Sequence, residues 1–128
     1  MATRKIKALE GTDEVRPVLN SVAAKGVKIS NPPEVRRYLK KYPQLLGRLE
    51  DAVDEVRKLD VGAPMLLERT RDPETDDLTL FLFLPKRNVK ETLRFDLAEQ
   101  VNARVGKKHG PMSLGSWFQA AADLRVAE

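Results

Sequence analysis

The chain contains no cysteine and only one histidine among its 128 residues. The absence of cysteine excludes disulfide bonds, thiolate zinc sites and cysteine nucleophiles within the chain, and it fits the reducing cytoplasm in which we expect the protein to reside. No apolar run reaches 18 residues, so we expect no membrane-spanning helix and no membrane partner. The basic start "MATRKIKALEG" lacks the apolar core of a secretory signal.

Signatures of catalysis are also scarce. The glycines occur singly, and none forms a phosphate-binding loop of the P-loop or dinucleotide type. A Ser/His/Asp set can be written from Ser113, His109 and Asp96, but the sequence has no nucleophile elbow and no glycine-rich oxyanion loop. We therefore interpret His109 as an ordinary loop histidine, and we predict no enzyme, no catalytic residue and no cofactor.

The acidic stretch "RDPETDD" places Asp72, Glu74 and Asp76 at alternate positions, as at the start of a calcium loop. Such a loop needs glycine at its sixth position and glutamate at its twelfth, where this chain has Asp77 and Phe83. The stretch is therefore interpreted as a soluble hairpin turn, and we predict no metal site.

The net charge is +4 and the isoelectric point is about 9.5. Two basic clusters are the candidates for contact with phosphates. They comprise Arg36, Arg37, Lys40, Lys41, Lys86, Arg87 and Lys90. Acidic segments alternate with the basic ones, and no RNP-type, zinc-finger or basic-zipper motif is present. This pattern favours a solvated surface over nucleic-acid binding, which stays open as an alternative.

Helical spacing of apolar residues begins in "TDEVRPVLNSVAAKG", with Thr12 or Asp13 as the cap and Gly26 as the end. We assign residues 1–30 to an N-terminal arm with this short helix, and residues 31–128 to a single α+β domain. The stretches "KIKAL" and "VKI" are either short strands or extended arms.

Three further helices are predicted. "SNPPEVRRYLKKYP" has Asn31 as its cap and Pro32 at its first position. An amphipathic helix over 43–60 follows and ends before Gly62. A last helix over 89–105 begins with a capping box from Asn88 to Glu91 and ends at Gly106.

Residues 65–71 and 78–84 alternate with a period of two and flank the turn-forming "DPETDD", which predicts a β-hairpin. In the second strand the leucines share one face, while Phe81 and Phe83 share the other. A strand that is apolar on both faces is normally covered on both and lies inside a sheet.

The tail "GSWFQAAADLRVAE" fits both a helix and a strand. We favour a strand, because the 78–84 strand needs a second neighbour and an isolated hairpin is marginal. It would place Phe118, Ala120, Ala122 and Leu124 on the helix-covered face. The prediction is an α+β fold: a three-stranded antiparallel sheet covered on one face by the helices over 43–60 and 89–105, with extra N-terminal helices.

The succession of "EVRRYLKKYPQLL", the hairpin "MLLERTRDPETDDLTLFLFLP" and "SWFQAAADLR" resembles small uncharacterised bacterial α+β proteins. Those proteins have a helix–hairpin–helix–strand order, and some occur in toxin–antitoxin-like gene pairs. The resemblance covers about residues 33–126 and implies a protein partner rather than a reaction. The alanine run departs from the more β-branched strand that the resemblance leads one to expect.

The helices leave Phe81 and Phe83 to be covered either by the N-terminal helix or by another chain. We predict a non-enzymatic protein-interaction module of an antitoxin-like kind. Its partner, or a second copy in a homodimer, would bind Phe81, Phe83 and Trp117, because an aromatic patch of this kind marks an interface. The alternative is a basic nucleic-acid-binding module.

Overall fold

The computed structural model describes residues 14–72, 78–87, 90–112 and 116–123. Within these ranges the chain is an α+β fold of four helices and a four-stranded mixed sheet. The helices are α1 (Val15–Ala24), α2 (Pro32–Lys41), α3 (Leu45–Leu59) and α4 (Phe95–His109). The strands are β1 (Val27–Ile29), β2 (Met65–Arg71), β3 (Leu78–Leu84) and β4 (Phe118–Ala122). No helix in these ranges is both long and apolar enough to cross a membrane.

The sheet has the order β1-β2-β3-β4, so β3 is an inner strand, as its two apolar faces predicted. β2 and β3 form the predicted antiparallel hairpin. The prediction of a three-stranded antiparallel sheet is wrong in two respects: β4 pairs with β3 in parallel, and β1 adds a fourth strand parallel to β2. The parallel pairing follows from α4, because this helix carries the chain back along the sheet before β4 begins. β1 is the "VKI" stretch.

The tail stretch forms a strand, which confirms the favoured prediction over the helical one. Phe118, Ala120 and Ala122 are buried, as expected for residues on the helix-covered face. Leu124, the last residue predicted for this face, lies outside the described residues.

The end of α1 confirms the prediction for Gly26. The helix ends at Ala24, and Gly26 has a φ of 97°, which L side chains rarely adopt. The Arg57 guanidinium of α3 donates to the Lys25 carbonyl from Nε at 3.0 Å and from Nη2 at 2.7 Å. A Cβ on Gly26 would lie 2.6 Å from Arg57 Nη2, so the glycine also makes room for this contact.

α2 begins at Pro32, as predicted, but its predicted cap and the predicted start of α4 differ from the structure. Asn31 precedes α2, but its side chain makes no capping hydrogen bond; instead, its backbone carbonyl accepts from the amides of Glu34 and Val35. The last helix begins at Phe95 rather than at residue 89. Glu91 accepts hydrogen bonds from the backbone and side chain of Arg87 instead of closing a capping box, and Asn88 lies outside the described residues.

The end of α4 also differs from the prediction. Gly106 lies inside the helix, which continues to His109 and ends before Gly110, whose φ is 76°. A helix tolerates one interior glycine at a cost of about 1 kcal/mol, so the positive φ at Gly110, rather than the presence of Gly106, marks the end.

One hydrophobic core joins all four helices to the leucine face of the sheet. Leu80, Leu82 and Leu84 are fully buried in it, and α1 contributes Val15 and Val22 to the same core. The boundary predicted at residue 30 therefore does not separate two packing units. It also follows that α1 lies on the leucine face, so it does not cover Phe81 and Phe83.

The opposite face of the sheet, which we call the outer face, contains both phenylalanines of β3. The register places Phe81 between Glu68 and Gln119, and it places Phe83 between Leu66 and Ala121. The two rings stack with centroids 4.9 Å apart. Only 4% of Phe81 and 9% of Phe83 is exposed, so both rings are already buried in the single chain.

Candidate functional site

A cavity of about 680 Å³ lies beside β4, which is an edge strand of the sheet. We call it the β4 groove. Its described lining comes from the end of β2, the outer face of β3, one side of α4, and β4 itself. The lining residues are 70–72, Phe81, Phe83, Phe95, Ala98, Glu99, Asn102 and 119–123. A volume of this size lies within the range typical of ligand-binding sites, about 300–1,000 Å³.

Aromatic rings form the apolar walls of the β4 groove. Phe81 and Phe83 are buried at the outer face, whereas Phe95, at the start of α4, is 57% exposed. Aromatic residues are enriched at the centres of interfaces. Phe95 is therefore the wall residue that a ligand would contact most readily.

The alanine run of the tail explains why the groove is open. Ala120, Ala121 and Ala122 of β4 line it together with Ala98 of α4. Ala120 and Ala122 are buried on the helix-covered face, whereas Ala121 is on the outer face. A methyl group projects little beyond the backbone, so Ala121 leaves space where a β-branched residue would fill it. The departure from a typical strand composition is thus located at the cavity.

Four charged residues line the same groove. Asp72, Glu99 and Asp123 are acidic, and Arg71 is basic. The described part of the lining therefore has a formal net charge of −2, from three carboxylates and one guanidinium, on a chain whose net charge is +4. A local charge opposite in sign to that of the whole chain favours a cationic ligand at this position.

Asn102 of α4 closes part of the β4 edge. Its amide nitrogen donates to the Ala120 carbonyl at 2.8 Å, and its amide oxygen accepts from the Ala120 N–H at 2.8 Å. Between β3 and β4, the Trp117 carbonyl accepts a hydrogen bond from β3. The backbone groups of successive residues in a strand point to alternate sides, so those of Ala120, three residues later, point away from β3. The Asn102 side chain thus takes the place of a neighbouring strand at this residue.

The structure brings only two of the three predicted partner-binding residues together. Phe81 and Phe83 are stacked neighbours, but they are buried and so do not form the exposed aromatic patch that was predicted. Trp117 is 47% exposed and does not line the β4 groove. Its backbone N–H donates to the Tyr38 hydroxyl at 2.8 Å, which anchors the residue to α2. The neighbouring strands place Glu68 and Gln119 beside Phe81, and Leu66 and Ala121 beside Phe83.

The basic residues of α2 remain near the surface. Arg37 pairs with Glu34 at 2.6 Å, and the Lys41 ammonium lies 5.5 Å from the centroid of the Tyr42 ring. Arg36 is half-buried and Lys40 is exposed. Two of the four cations of this cluster are therefore already engaged within the chain.

The second basic cluster, formed by Lys86, Arg87 and Lys90, centres on an ion-pair network. Arg87 donates to both carboxylate oxygens of Asp60 at 2.9 Å, and Arg94 donates to Asp60 at 2.7 Å. The hydrogen bond from Arg94, and then that from Arg87, lower the pKa of Asp60 against the opposing effect of burial. Hydrogen bonds to Glu91 and Asp60 raise the pKa of Arg87. Arg87 thus links the start of the α4 region to the end of α3, which is a structural role.

Two of the residues from which a Ser/His/Asp set could be written lie far apart, and His109 is in a helix rather than in the loop that the sequence led us to expect. Asp96 lies in the first turn of α4 and His109 is its last residue, which separates them by about 20 Å along the helix axis. Ser113 lies outside the described residues. His109 contacts Asp51 of α3 instead, with Nε2 2.6 Å from Oδ2. Burial works to raise the pKa of Asp51, but the contacts with His109 and Lys108 outweigh it and lower that pKa.

No group of three or more histidine, cysteine or acidic residues in the described part of the chain is arranged to hold a metal ion. Of the candidate calcium-loop residues, Asp72 lies at the β4 groove, whereas Glu74 and Asp76 lie outside the described residues.

In comparisons with known proteins, no family model, no curated protein and no solved structure matches this chain.

Sequence reasoning missed Phe95, Asn102 and the groove itself. Phe95 was placed inside a helix that was predicted to begin six residues earlier. The role of Asn102 could not be predicted, because it depends on the position of β4 beside α4. The one available signal was the alanine run, which was unusual for a strand.

Proposed function

We propose that this protein is a non-enzymatic protein-interaction module that binds its partner at the β4 groove. The observation that carries the proposal is a cavity of about 680 Å³ with phenylalanine walls and an alanine floor at one edge of the sheet. Apolar walls with a few polar groups are typical of binding sites. This proposal moves the partner surface from the predicted Phe81, Phe83 and Trp117 patch to the groove, with Phe95 as its exposed aromatic residue.

The groove favours binding over catalysis. Its charged lining residues are carboxylates and one guanidinium, and the histidine of the chain is at the far end of α4, in contact with Asp51. Nucleophilic and general-base chemistry is carried most often by histidine, serine or cysteine, and the described lining contains none of these three. The antitoxin-like role that the resemblance suggests is compatible with a partner protein, and we retain it as part of the proposal.

A variant that fills the groove tests this function. Ala121 lies on the outer face of β4 and lines the cavity, so Ala121→Leu occupies its space. Ala103→Leu is the matched control, because Ala103 is an exposed residue of α4 outside the lining. Both tagged variants and the wild type are used to isolate complexes from the native host, followed by mass spectrometry. A partner retained by wild type and Ala103→Leu but lost by Ala121→Leu supports the proposal; equal recovery by all three contradicts it.

The alternative of a nucleic-acid-binding module rests on α2, where Arg36 and Lys40 are one helical turn apart. Binding through such residues would be driven by phosphate contacts and would weaken steeply as salt rises. The absorbance ratio at 260 and 280 nm of the same complexes decides between a protein partner and a nucleic-acid partner. It is measured for wild type and for the double variant Arg36→Ala/Lys40→Ala, against generic values of ~0.6 for protein alone and ~2 for nucleic acid. Nucleic acid retained by wild type and lost by the double variant would favour the alternative.

A further inference from the structure

The charge and the shape of the β4 groove together specify what kind of segment it accepts. We propose that the occupant is a partner segment in which an aliphatic or aromatic side chain lies between lysine or arginine residues. This inference rests on the proposed function and names the chemistry of its partner.

The walls of the groove are apolar. Phe95, which is 57% exposed, lines the same cavity as the buried Phe81 and Phe83 rings and Ala121. Removal of apolar surface from water stabilises a complex, so an apolar side chain gains most by entering here. Phenylalanine faces also attract cations, which adds to the preference for basic neighbours.

The described lining of the groove carries three carboxylates and one guanidinium, whereas the chain as a whole is basic. Asp123 is only 2% exposed and Asp72 is half-buried, so they act on a ligand through their charge rather than by direct contact. Glu99 is exposed on α4 and is the rim carboxylate most accessible to a ligand. Opposite charges at a rim contribute to the rate of encounter and to the choice of partner. An acidic segment would be repelled by the same residues.

The hydrogen bonds of Asn102 exclude one binding mode. An edge strand can accept a partner strand through its free backbone groups. At Ala120 those groups are already bonded to the Asn102 amide at 2.8 Å, so addition of a strand there would first have to break two hydrogen bonds. The occupant therefore binds through its side chains rather than by extending the sheet.

Three synthetic peptides test the proposal on the full chain: GKLKFKG, its acidic counterpart GELEFEG, and the basic but polar GKSKSKG. Binding is followed by the NMR shifts of the backbone amides of Phe95, Glu99, Ala121 and Asp123 in isotope-labelled protein. We expect GKLKFKG to shift these amides and to bind at least tenfold more tightly than either of the other two. Equal affinities for GKLKFKG and GELEFEG, or no shift with GKLKFKG, would overturn the proposal.

Charge reversal at the rim gives a second readout. Glu99→Lys is expected to weaken GKLKFKG binding about fivefold, because an attraction is replaced by a repulsion of similar size. Asp96→Lys makes the same change of two charge units at an exposed position of the same helix outside the groove lining and is expected to change binding less than twofold. Equal effects of the two variants would show that only overall charge matters, which contradicts a specific rim.

Two results would assign the groove to another occupant. If the groove amides shift with protein concentration in the absence of peptide, the occupant is a second copy. If Ile6→Glu raises the affinity for GKLKFKG, the occupant is the chain's own residues 5–9, whose sequence KIKAL has the same basic and apolar pattern. Either result overturns the inference about a partner segment. If a host partner depends on Ala121 but the peptides show no preference, this inference fails while the proposed function stands.

Discussion

Replacement of Asn102 by alanine removes both hydrogen bonds that the side chain makes to Ala120. A neutral hydrogen bond contributes about 1 kcal/mol net, and a buried group left without its partner costs about 1–3 kcal/mol. Ala120 is only 3% exposed, so water replaces the lost amide poorly. We therefore expect Asn102→Ala to lower the free energy of unfolding by about 2–4 kcal/mol, which corresponds to a fall in Tm of about 8–15 °C in a domain of this size.

Urea denaturation followed by circular dichroism measures this loss, with Gln100→Ala as the control on an exposed face of the same helix. The control is expected to change stability by less than about 0.5 kcal/mol. Because the β4 edge loses its cover, Asn102→Ala is also expected to associate more as its concentration rises. A loss of less than about 1 kcal/mol relative to the control would refute the role assigned to the amide.

Asn102→Asp separates the two hydrogen bonds. The carboxylate still accepts from the Ala120 N–H, but it opposes the Ala120 carbonyl, where the amide had donated. The pKa of the new acid is expected to be raised, because its protonated form alone can donate to that carbonyl. The destabilisation of this variant is thus present at neutral pH and decreases as the pH falls through the raised pKa. A pH-independent loss would contradict the geometry.

Four other substitutions test other parts of the structure. Phe83→Asp is expected to destabilise the domain by more than about 4 kcal/mol, because Phe83 is only 9% exposed. Trp117→Asp, at a position that is 47% exposed, is expected to cost about 1 kcal/mol or less. Similar urea midpoints of the two variants would contradict this difference. Asp60→Asn is expected to cost about 1–2 kcal/mol at pH 7 by weakening the contact with Arg94. Because the pKa of Asp60 is lowered in the fold, its contribution is present above its ordinary pKa and is lost as the pH falls below about 4, so the two unfolding curves converge in acid. His109→Ala is expected to cost about 0.5–1 kcal/mol through loss of the Asp51 contact and to leave partner binding within twofold; a loss of binding without a loss of stability would show that the histidine acts at the site.

The sequence predicted the elements of the fold better than their arrangement. Periodicity located the hairpin of β2 and β3, and the two apolar faces of β3 correctly made it an inner strand. The direction of β4 was predicted wrongly, because periodicity specifies which residues share a face but not which way a strand runs. The start of α4 was misplaced because the spacing of Asn88 and Glu91 matches a capping box. The spacing alone does not show that Glu91 instead accepts a hydrogen bond from Arg87.

The candidate site depended on information that local patterns do not contain. Phe81 and Phe83 were correctly placed on one face, but their burial depends on the neighbours that β2 and β4 supply. Asn102 is an ordinary polar residue of an amphipathic helix until β4 lies beside it. Such contacts join residues far apart in the chain, which is why they emerged only with the tertiary structure.

The alanine run of β4 meets two spatial requirements at once. On the helix-covered face, the small Ala120 allows α4 to approach closely enough for the Asn102 amide to reach the strand backbone at 2.8 Å. On the outer face, the small Ala121 leaves the groove open beside Phe83. Valine or isoleucine would suit a strand better by intrinsic preference, by up to about 1 kcal/mol per position. β4 has alanine instead at adjacent residues on opposite faces. Local sequence preferences are broken most often at functional sites, so the composition of β4 agrees with a role for the groove that Ala121 leaves open.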